Sequence, residues 1–314
     1  LWVKQFIREG FDVQVICLEK RDFDDSFPVY SLGKEVGYGK FRRVFRFLKF
    51  ICTIKYDRVF VHMNPEYFTL GGWYWFLTRK PMYLWYTHYA MHMHMRIAGW
   101  LSTRMFAATK QSLPQYAGSP KKIIPGHGID MNFWTKDMKP ERILSEYNLI
   151  SVHRICRSKR SEIAIEALLY LPSEYNLTLF GRDVEKDYYA ELQELVKKHH
   201  LESRVTFAGP VPMHKLRDIY GKYRLMVNMA PETIDKTVLE GMVFGVYPIT
   251  TKGNSLAVGL PAYPEDDRPE TVAKFILEKK WQSYDRAYLN NIVQKKHSLE
   301  ALVRNMAVYI GSGE

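Results

Sequence analysis

Residues 225–250, LMVNMAPETIDKTVLEGMVFGVYPIT, contain the pattern that decides the fold. Two short apolar runs, Leu225–Met229 and Val246–Thr250, flank a segment with helical spacing that ends at a glycine. Apolar strands joined by a helix are typical of a βαβ unit, whose strands are parallel and buried. The connecting segment carries two acidic residues, Glu232 and Glu240. In a parallel sheet, ligands bind beside the loops that follow the strands, so these residues are candidates for a binding site.

The alternation of short strands and longer helices extends along the chain in both directions. The other predicted strands are Asp12–Leu18, Arg58–His62, Met82–Thr87, Lys122–Pro125, Ile150–Ile155, Leu177–Gly181 and Arg204–Gly209. The segment Gly126–Pro140 separates two sets of strands and contains two glycines and a proline. The sequence therefore predicts two α/β domains, residues 1–138 and 139–314, with the last helix, about residues 297–311, as a candidate to cross back.

The chain begins inside a helical pattern. Leu1–Gly10 has the spacing of the end of an amphipathic helix, and the strand Asp12–Leu18 follows it. A doubly wound domain normally opens with a strand before its first helix. We therefore expect the first strand of the first domain to be missing from this chain.

Cysteine content and hydropathy indicate the cellular compartment of the protein. Cys17, Cys52 and Cys156 are far apart and form neither a CxxC motif nor a Cys/His cluster with zinc spacing, which favours a reducing compartment and no metal ion. No run of 18 apolar residues is present, and no signal peptide opens the chain. The prediction is a cytoplasmic protein.

Charge is concentrated in the first part of the chain. Residues 1–140 hold 21 Lys/Arg and 11 Asp/Glu, whereas residues 141–314 hold 24 and 23. A basic half could meet nucleic acid, an anionic membrane or a polyanionic substrate. Within Lys40–Ile54, helical spacing predicts a core stripe of Phe41, Val44, Phe45, Leu48, Ile51 and Cys52. The opposite face, with Phe47 and Phe50 among basic residues, is then predicted to contact anionic lipid on the inner face of the membrane, the alternative being a solvated face.

The second half has cations at a predicted strand-to-helix turn. Arg154, near the end of the predicted strand Ile150–Ile155, and Lys159, before the next helix, bracket this turn. Fixed cations at such a turn suit a diphosphate, although a solvated basic turn has the same composition. Helix positions 236–240 place the N–H groups of Lys236 and Thr237 at the binding edge. Glu240 could accept hydrogen bonds from sugar or ribose hydroxyls, or be an exposed helix carboxylate.

Taken together, these elements resemble the family 4 (group 1) glycosyltransferases over nearly the whole chain. The matching elements, in the family's order, are Gly128-Ile129-Asp130 for N-G-V-D, Val152–Ile155 with Lys159 for V-G-R-L-x-x-x-K, Leu177–Gly181 for L-x-x-x-G, Arg204–Gly209 for R-V-x-F-x-G, and Glu232–Glu240 for E-x7-E. Each element alone is nonspecific, but five in order are a strong signal.

The resemblance implies the GT-B fold, an α/β architecture of two Rossmann-like doubly wound parallel-sheet domains facing a central cleft. It also implies a retaining, metal-independent transferase that uses a nucleotide-diphosphate sugar and no cofactor. Arg154 and Lys159 would neutralise the leaving phosphates, Glu240 would bind the ribose, and Glu232 would lie against the transferred sugar. The implied donor-binding positions also include Gly181, Asp235, Lys236 and Thr237.

Two departures from the family pattern concern the sugar pocket. His153 stands where the family usually has Gly, and Thr233-Ile234-Asp235 replaces Gly-Phe-Gly. In the first domain, His88 ends a predicted strand and resembles the family's catalytic-site histidine. His92 and His94 follow it, but no carboxylate is close to them in sequence, so we predict no metal.

The predicted function is transfer of a sugar from a nucleotide-sugar donor to a cell-envelope glycan or lipid-linked acceptor. Two alternatives remain open from the sequence. Another GT-B enzyme, such as a sugar-nucleotide epimerase, would turn over donor without an acceptor. A non-catalytic basic binding protein would need affinity for nucleic acid at physiological salt. The sequence contains no nucleic-acid-binding motif, so nucleic acid is not predicted as a partner.

Overall fold

The computed structural model describes residues 1–20, 26–87, 91–136, 138, 145–231 and 234–312. The chain divides into two compact units, residues 1–126 with the segment from 299, and residues 127–298. This division falls before the predicted boundary near residue 138. The reason is that the backbone N–H groups of Gly128 and Ile129 both donate to the carbonyl oxygen of His297, at 3.0 and 2.7 Å.

The first unit consists of short parallel strands and their connecting helices. Its elements are α1 (Trp2–Arg8), β1 (Val15–Cys17), β2 (Val29–Ser31), α2 (Lys40–Thr53), β3 (Val59–His62), α3 (Glu66–Leu77), β4 (Met82–Trp85), α4 (Met93–Leu101), β5 (Arg104–Phe106) and β6 (Lys122–Ile123). Strands β3, β4, β5 and β6 form one parallel sheet in chain order, and β1 pairs with β2 in another. The strands β2 and β5 were not predicted from the sequence.

The C-terminal helix, Leu299–Ser312, belongs to the first unit. Leu302, Val303 and Met306 are fully buried there. The Tyr83 hydroxyl donates to the carbonyl oxygen of Tyr309 at 3.1 Å, and the Arg58 guanidinium donates to that of Ile310. The side chains of Tyr83 in β4 and of Arg58, just before β3, therefore satisfy backbone acceptors near the end of this helix, as buried carbonyls require.

The predicted orientation of α2 is wrong. Phe47 is buried (3% exposed) together with Ile51, whereas Phe41 and Phe45 of the predicted core stripe are exposed. The cause is local packing, since a Cβ on Gly71 of α3 would lie 3.0 Å from both Phe47 and Ile51. Gly71 thus leaves the space that these two side chains fill, and the helix turns its other apolar stripe outward.

The second unit is a five-stranded parallel sheet. Its elements are α5 (Met131–Thr135), β7 (Asn148–Val152), α6 (Ser161–Ala167), β8 (Asn176–Phe180), α7 (Lys186–Lys198), β9 (Val205–Gly209), α8 (Met213–Tyr220), β10 (Leu225–Asn228), α9 (Lys236–Val243), β11 (Tyr247–Thr250), α10 (Lys252–Val258), α11 (Pro269–Glu278) and α12 (Arg286–Ile292). The strand order is β11-β10-β7-β8-β9, so the direction of winding reverses at β7. Ligands of doubly wound sheets bind beside such a reversal, at the carboxyl ends of the strands.

The central strands of this sheet are covered on both faces. Every residue of β10 and β11 is buried, and so is every residue of β7 after Asn148. Continuous apolar strands of this kind are typical of parallel sheets with helices on both sides. Across the described ranges, every helix is too short or too polar to cross a bilayer.

Candidate active site

A cavity of about 340 Å³ opens at the carboxyl ends of β7, β8 and β9 in the second unit. Its walls come from the last residues of β7 and β8 and from the residues that follow the three strands: Val152, His153 and Arg154 at β7, Phe180, Gly181, Arg182 and Val184 at β8, and Pro210, Val211 and Leu216 after β9. The lining is mostly apolar, with two arginines. Such a combination suits a flat apolar group attached to an anion.

Gly181 is needed where the chain leaves β8. A Cβ on Gly181 would lie 1.7 Å from the carbonyl oxygen of His153, so no other residue fits without a backbone shift. His153 itself is buried, and its Nδ1 lies 3.1 Å from the carbonyl oxygen of Arg154. Burial lowers the pKa of His153, partly opposed by the charge of Asp235. The site thus tolerates His153 at the family's glycine position by packing it as a buried imidazole.

The two predicted cations lie in different environments. Arg154 lines the cavity and is exposed, and within the described residues its guanidinium has no ion-pair partner. Lys159 lies in a 3₁₀ turn, Arg157–Lys159, before α6 and is 8% exposed. Its ammonium contacts Oδ1 of Asp235 at 2.5 Å. Arg154 is therefore available to an incoming anion, whereas Lys159 already has a counter-charge.

Glu240 is not the exposed helix carboxylate that the sequence left open, because it is 8% exposed. Its Oε2 lies 3.4 Å from the Tyr220 hydroxyl, which donates to it. Burial raises the pKa of Glu240 to about 7, while Lys236, one turn earlier in α9, acts in the opposite direction. A buried carboxyl group that titrates near neutrality is typical of a functional position.

The first turn of α9 is joined to the end of β7. The Thr237 hydroxyl donates to the carbonyl oxygen of Val152 at 2.7 Å. This bond brings together two motifs that are far apart in sequence, the one with Arg154 and the one with Glu240. Thr237 and Lys236 therefore lie at the same sheet edge as the cavity.

One positioning residue was missed by the sequence analysis. His127 is buried, and its Nε2 lies 2.8 Å from the carbonyl oxygen of Ile234, next to Asp235. Burial lowers the pKa of His127 to about 4, so the ring is neutral at physiological pH and donates through Nε2. It fixes the loop before α9. The only sequence signal is its place between two glycines, Gly126 and Gly128.

Two predicted site residues, His88 and Glu232, lie outside the described residues. Their predicted contacts with the transferred sugar stay predictions. The described residues at the sheet edge are Arg154, Lys159, Gly181, Asp235, Lys236, Thr237 and Glu240.

Comparison with known protein families gives one match, to the model described as glycosyl transferases group 1, over residues 133–259. This range contains all the residues that line the cavity, together with Lys159, Asp235 and Glu240, but not His127. A search of curated proteins finds no match.

Solved structures resemble the whole chain. Anabaena Alr3699/HepE, crystallised in complex with UDP and glucose, has a TM-score of 0.73 at 16% identity, covering 99% of this chain and 95% of its own. Sucrose-phosphate synthase from Thermosynechococcus elongatus has a TM-score of 0.72 at 16% identity. The match covers 99% of this chain and 91% of the synthase. The lipopolysaccharide outer core galactosyltransferase WaaB, in its apo form, has a TM-score of 0.66 at 13% identity. The match covers 96% of this chain and 90% of WaaB. At such identities the likeness shows the fold alone, which is GT-B, with parallel α/β units.

Proposed function

We propose that this chain, whose residues 133–259 belong to the group 1 glycosyl transferases, moves a sugar from a nucleotide-diphosphate donor to a cell-envelope glycan or lipid-linked acceptor with retention of configuration. The observation that carries the proposal is that Arg154 lines a largely apolar cavity, while the bond from Thr237 to Val152 joins the end of β7 to the helix that holds the buried Glu240. An apolar cavity next to fixed cations fits a nucleobase attached to phosphates.

The proposed chemistry rests on charge stabilisation. When the sugar leaves its donor, negative charge grows on the departing diphosphate. Arg154 is exposed at the cavity and without an ion-pair partner among the described residues, so it can meet that charge without first breaking another contact. Preorganised cations at such a position lower the barrier, and no metal ion or cofactor is invoked. Glu232 and His88 are assigned to the sugar on the resemblance alone.

Glu240 is proposed to accept hydrogen bonds from the donor's ribose hydroxyls. Its carboxyl group is buried next to Tyr220 in the first two turns of α9, near the bond from Thr237 to Val152. A buried carboxylate gains from two hydroxyl donors, because hydrogen bonds to its charged form compensate for lost hydration.

The acceptor side of the proposal rests on the first unit. HepE and WaaB, which share the fold, are described as a UDP- and glucose-binding protein and as a lipopolysaccharide galactosyltransferase. We extend the lipid-linked acceptor class to this chain because its first unit carries an exposed apolar surface. A cytoplasmic enzyme acting at the inner face of the membrane would use that surface to reach its acceptor.

Two exposed groups make up this surface. On α2, Phe41 is 92% exposed and Phe45 is 70% exposed, beside the basic residues Arg42 and Lys49. The second group, the aromatic surface, is formed by Leu70, Trp73, Phe76 and Leu77 of α3 with Trp100 of α4. The rings of Trp73 and Phe76 each lie 5.7 Å from that of Trp100.

Charge around the aromatic surface favours an anionic lipid. Residues 67–129 contain seven Lys/Arg and no Asp or Glu. Exposed tryptophans among basic residues suit the headgroup region of a bilayer, where the rings are half solvated and the cations meet phosphate. Membrane contact through residues 40–54 is therefore proposed with Phe41 and Phe45, rather than Phe47, as the inserted side chains.

A thermal-shift screen across UDP, GDP, ADP and dTDP sugars tests the donor. A ligand at 100 times its dissociation constant should stabilise the folded protein by roughly 2.7 kcal/mol. Stabilisation by one nucleotide class, with sugar transferred to an added acceptor, supports the proposal. Conversion of the donor to an epimer without acceptor would instead identify an epimerase, and stabilisation by none of the four would count against donor binding.

A further inference from the structure

Asp235 occupies the cationic end of the candidate site. Its Oδ1 contacts the Lys159 ammonium at 2.5 Å, and its Oδ2 accepts a 2.9 Å hydrogen bond from the side-chain amide of Asn228. Asn228 is 1% exposed and lies at the end of β10. Both carboxylate oxygens are thus held by groups that point to the carboxyl edge of the sheet.

The carboxylate of Asp235 does not cap the helix that it precedes. Asp235 is the N-cap residue of α9, where an aspartate normally accepts a hydrogen bond from the first turn of the helix. Here its side chain makes no capping bond and turns to Lys159. The N–H groups of the first turn, which include that of Lys236, therefore receive no bond from the Asp235 side chain.

Lys159 needs an anionic partner in every state of the site. Its side chain is only 10% exposed, and a lysine removed from water without a counter-charge is strongly destabilising. Asp235 supplies that charge in the structure, and a bound diphosphate could supply it as well. In this chain two anions, the Asp235 carboxylate and the diphosphate, compete for one ammonium group.

We propose that Asp235 is a built-in counter-anion of the donor site, which holds Lys159 when the site is empty and is displaced by the diphosphate when it fills. The inference rests on the proposed function, since it takes the bound anion to be a nucleotide diphosphate. It has a consequence for turnover. The same competition lowers the affinity for the released nucleoside diphosphate and so promotes its departure, a step that limits many enzymes.

Titration calorimetry with inorganic pyrophosphate tests the exchange. The Asp235→Asn variant keeps the size of the side chain and an oxygen that can accept from Asn228, but it frees Lys159. Its affinity for pyrophosphate should rise by at least about tenfold over wild type, because an unpaired ammonium attracts the anion more strongly. Asp235→Asn combined with Lys159→Met should lose the gain, because the ammonium that profits from it is gone.

Glu146→Gln is the matched control. It removes one negative charge from another ion pair of the same unit, with Lys279, on the segment that enters β7 at the opposite edge of the sheet. Its pyrophosphate affinity should equal that of wild type, so a gain in this variant as large as in Asp235→Asn would reduce the effect to net charge and overturn the inference. Melting temperatures of all variants show that they are folded.

The Arg154→Ala variant distinguishes a failure of the proposed donor site from a failure of the counter-anion role of Asp235. If pyrophosphate binding weakens in Arg154→Ala but Asp235→Asn binds no more tightly than wild type, the donor site stands and the counter-anion role is wrong. If pyrophosphate binds wild type and Arg154→Ala equally, or binds neither, the proposed function fails and the inference fails with it.

Discussion

The hydroxyl of Thr237 donates a 2.7 Å hydrogen bond to the carbonyl oxygen of Val152, which joins the first turn of α9 to the end of β7. Val152 precedes His153 and Arg154, and Thr237 lies three residues before Glu240. One bond therefore sets the spacing between the cation proposed to meet the phosphates and the carboxyl group proposed to bind the ribose.

Thr237→Val should weaken nucleotide binding more than it weakens the fold. Valine has the same shape but cannot donate, so the Val152 carbonyl loses this partner at a cost of about 0.5–1.5 kcal/mol in unfolding free energy. Because the loss also loosens the spacing of the site, nucleotide affinity should fall by about tenfold. Calorimetry and urea denaturation measure the two effects. Thr206→Val, on an exposed position of β9, should change neither, and equal affinity of wild type and Thr237→Val would count against the spacing role.

The buried carboxyl group of Glu240 should make stability depend on pH. Its pKa in the folded protein is raised to about 7, from an ordinary value of 4.5. Between these values the folded state binds a proton that the unfolded state has released, so the free energy of unfolding falls as pH rises from about 4.5 to about 7. The loss is roughly 3 kcal/mol and is complete above pH 7.

Glu240→Gln should abolish this contribution. Relative to wild type, the variant should gain stability progressively from pH 5 to pH 8 in the absence of ligand, as measured by urea denaturation at each pH. The difference between the two proteins isolates Glu240 from the buried histidines, which titrate in both. Glu202→Gln, at an exposed position, serves as control. A constant difference across this range would show that Glu240 is ionised throughout.

Gly181→Ala should disrupt the cavity. The added Cβ would lie 1.7 Å from the His153 carbonyl oxygen, so β7 and β8 must move apart at their carboxyl ends. We expect a loss of more than about 2 kcal/mol in unfolding free energy, because backbone atoms cannot yield as a flexible side chain can. Gly221→Ala is the control, since a Cβ there would have no neighbour closer than 3.7 Å. Equal stability of the two variants would contradict the close approach.

Much of the second unit could be predicted from the sequence. Its strands lie within two or three residues of their predicted limits, because buried parallel strands are continuous apolar runs bounded by glycines and polar residues. The sequence also indicated that Arg154 and the start of α9, with Thr237, lie at one edge, since parallel strands present their carboxyl ends together. Because buried parallel strands have so regular a sequence pattern, their carboxyl ends can be located from the sequence alone.

The orientation of α2 could not be predicted. The helix has apolar residues on both sides, so two stripes compete, and the choice depends on the gap left by Gly71 in α3. The pairing of Lys159 with Asp235 could not be predicted either, because Lys159 follows β7 and Asp235 follows β10. The sequence predicts similar effects for alanine at Arg154 and at Lys159. The ion pair changes that expectation, since Lys159→Ala would leave a carboxylate without its counter-charge and destabilise the fold.

Replacing both exposed tryptophans of the aromatic surface, Trp73→Ser with Trp100→Ser, should reduce membrane binding. Loss of the inserted apolar area should lower co-sedimentation with vesicles containing phosphatidylserine by at least about tenfold. Tyr170→Ser is the matched control, because Tyr170 is an aromatic residue of the second unit with the same exposed fraction as Trp73, 52%. Vesicles of phosphatidylcholine alone should bind the wild type weakly. Binding that is independent of anionic lipid, or equal in the double variant, would contradict the membrane proposal.

The central claim is that Arg154 meets the charge that grows on the departing diphosphate. Arg154→Ala should leave the melting temperature unchanged, because its side chain is exposed and has no ion-pair partner within the described residues. Loss of one preorganised donor from such a site typically costs about 2.7–4 kcal/mol, or 10² to 10³ in rate. Lys222→Ala removes the same charge from an exposed loop before β10, at the opposite edge of the sheet, and should keep the rate of wild type.

The most direct measurement is therefore the rate of sugar transfer from the donor found in the thermal-shift screen, compared among wild type, Arg154→Ala and Lys222→Ala at equal melting temperature. The account predicts a rate at least about 100-fold lower in Arg154→Ala and unchanged in Lys222→Ala. A wild-type rate in Arg154→Ala would contradict the assignment of this site as the place where the diphosphate leaves.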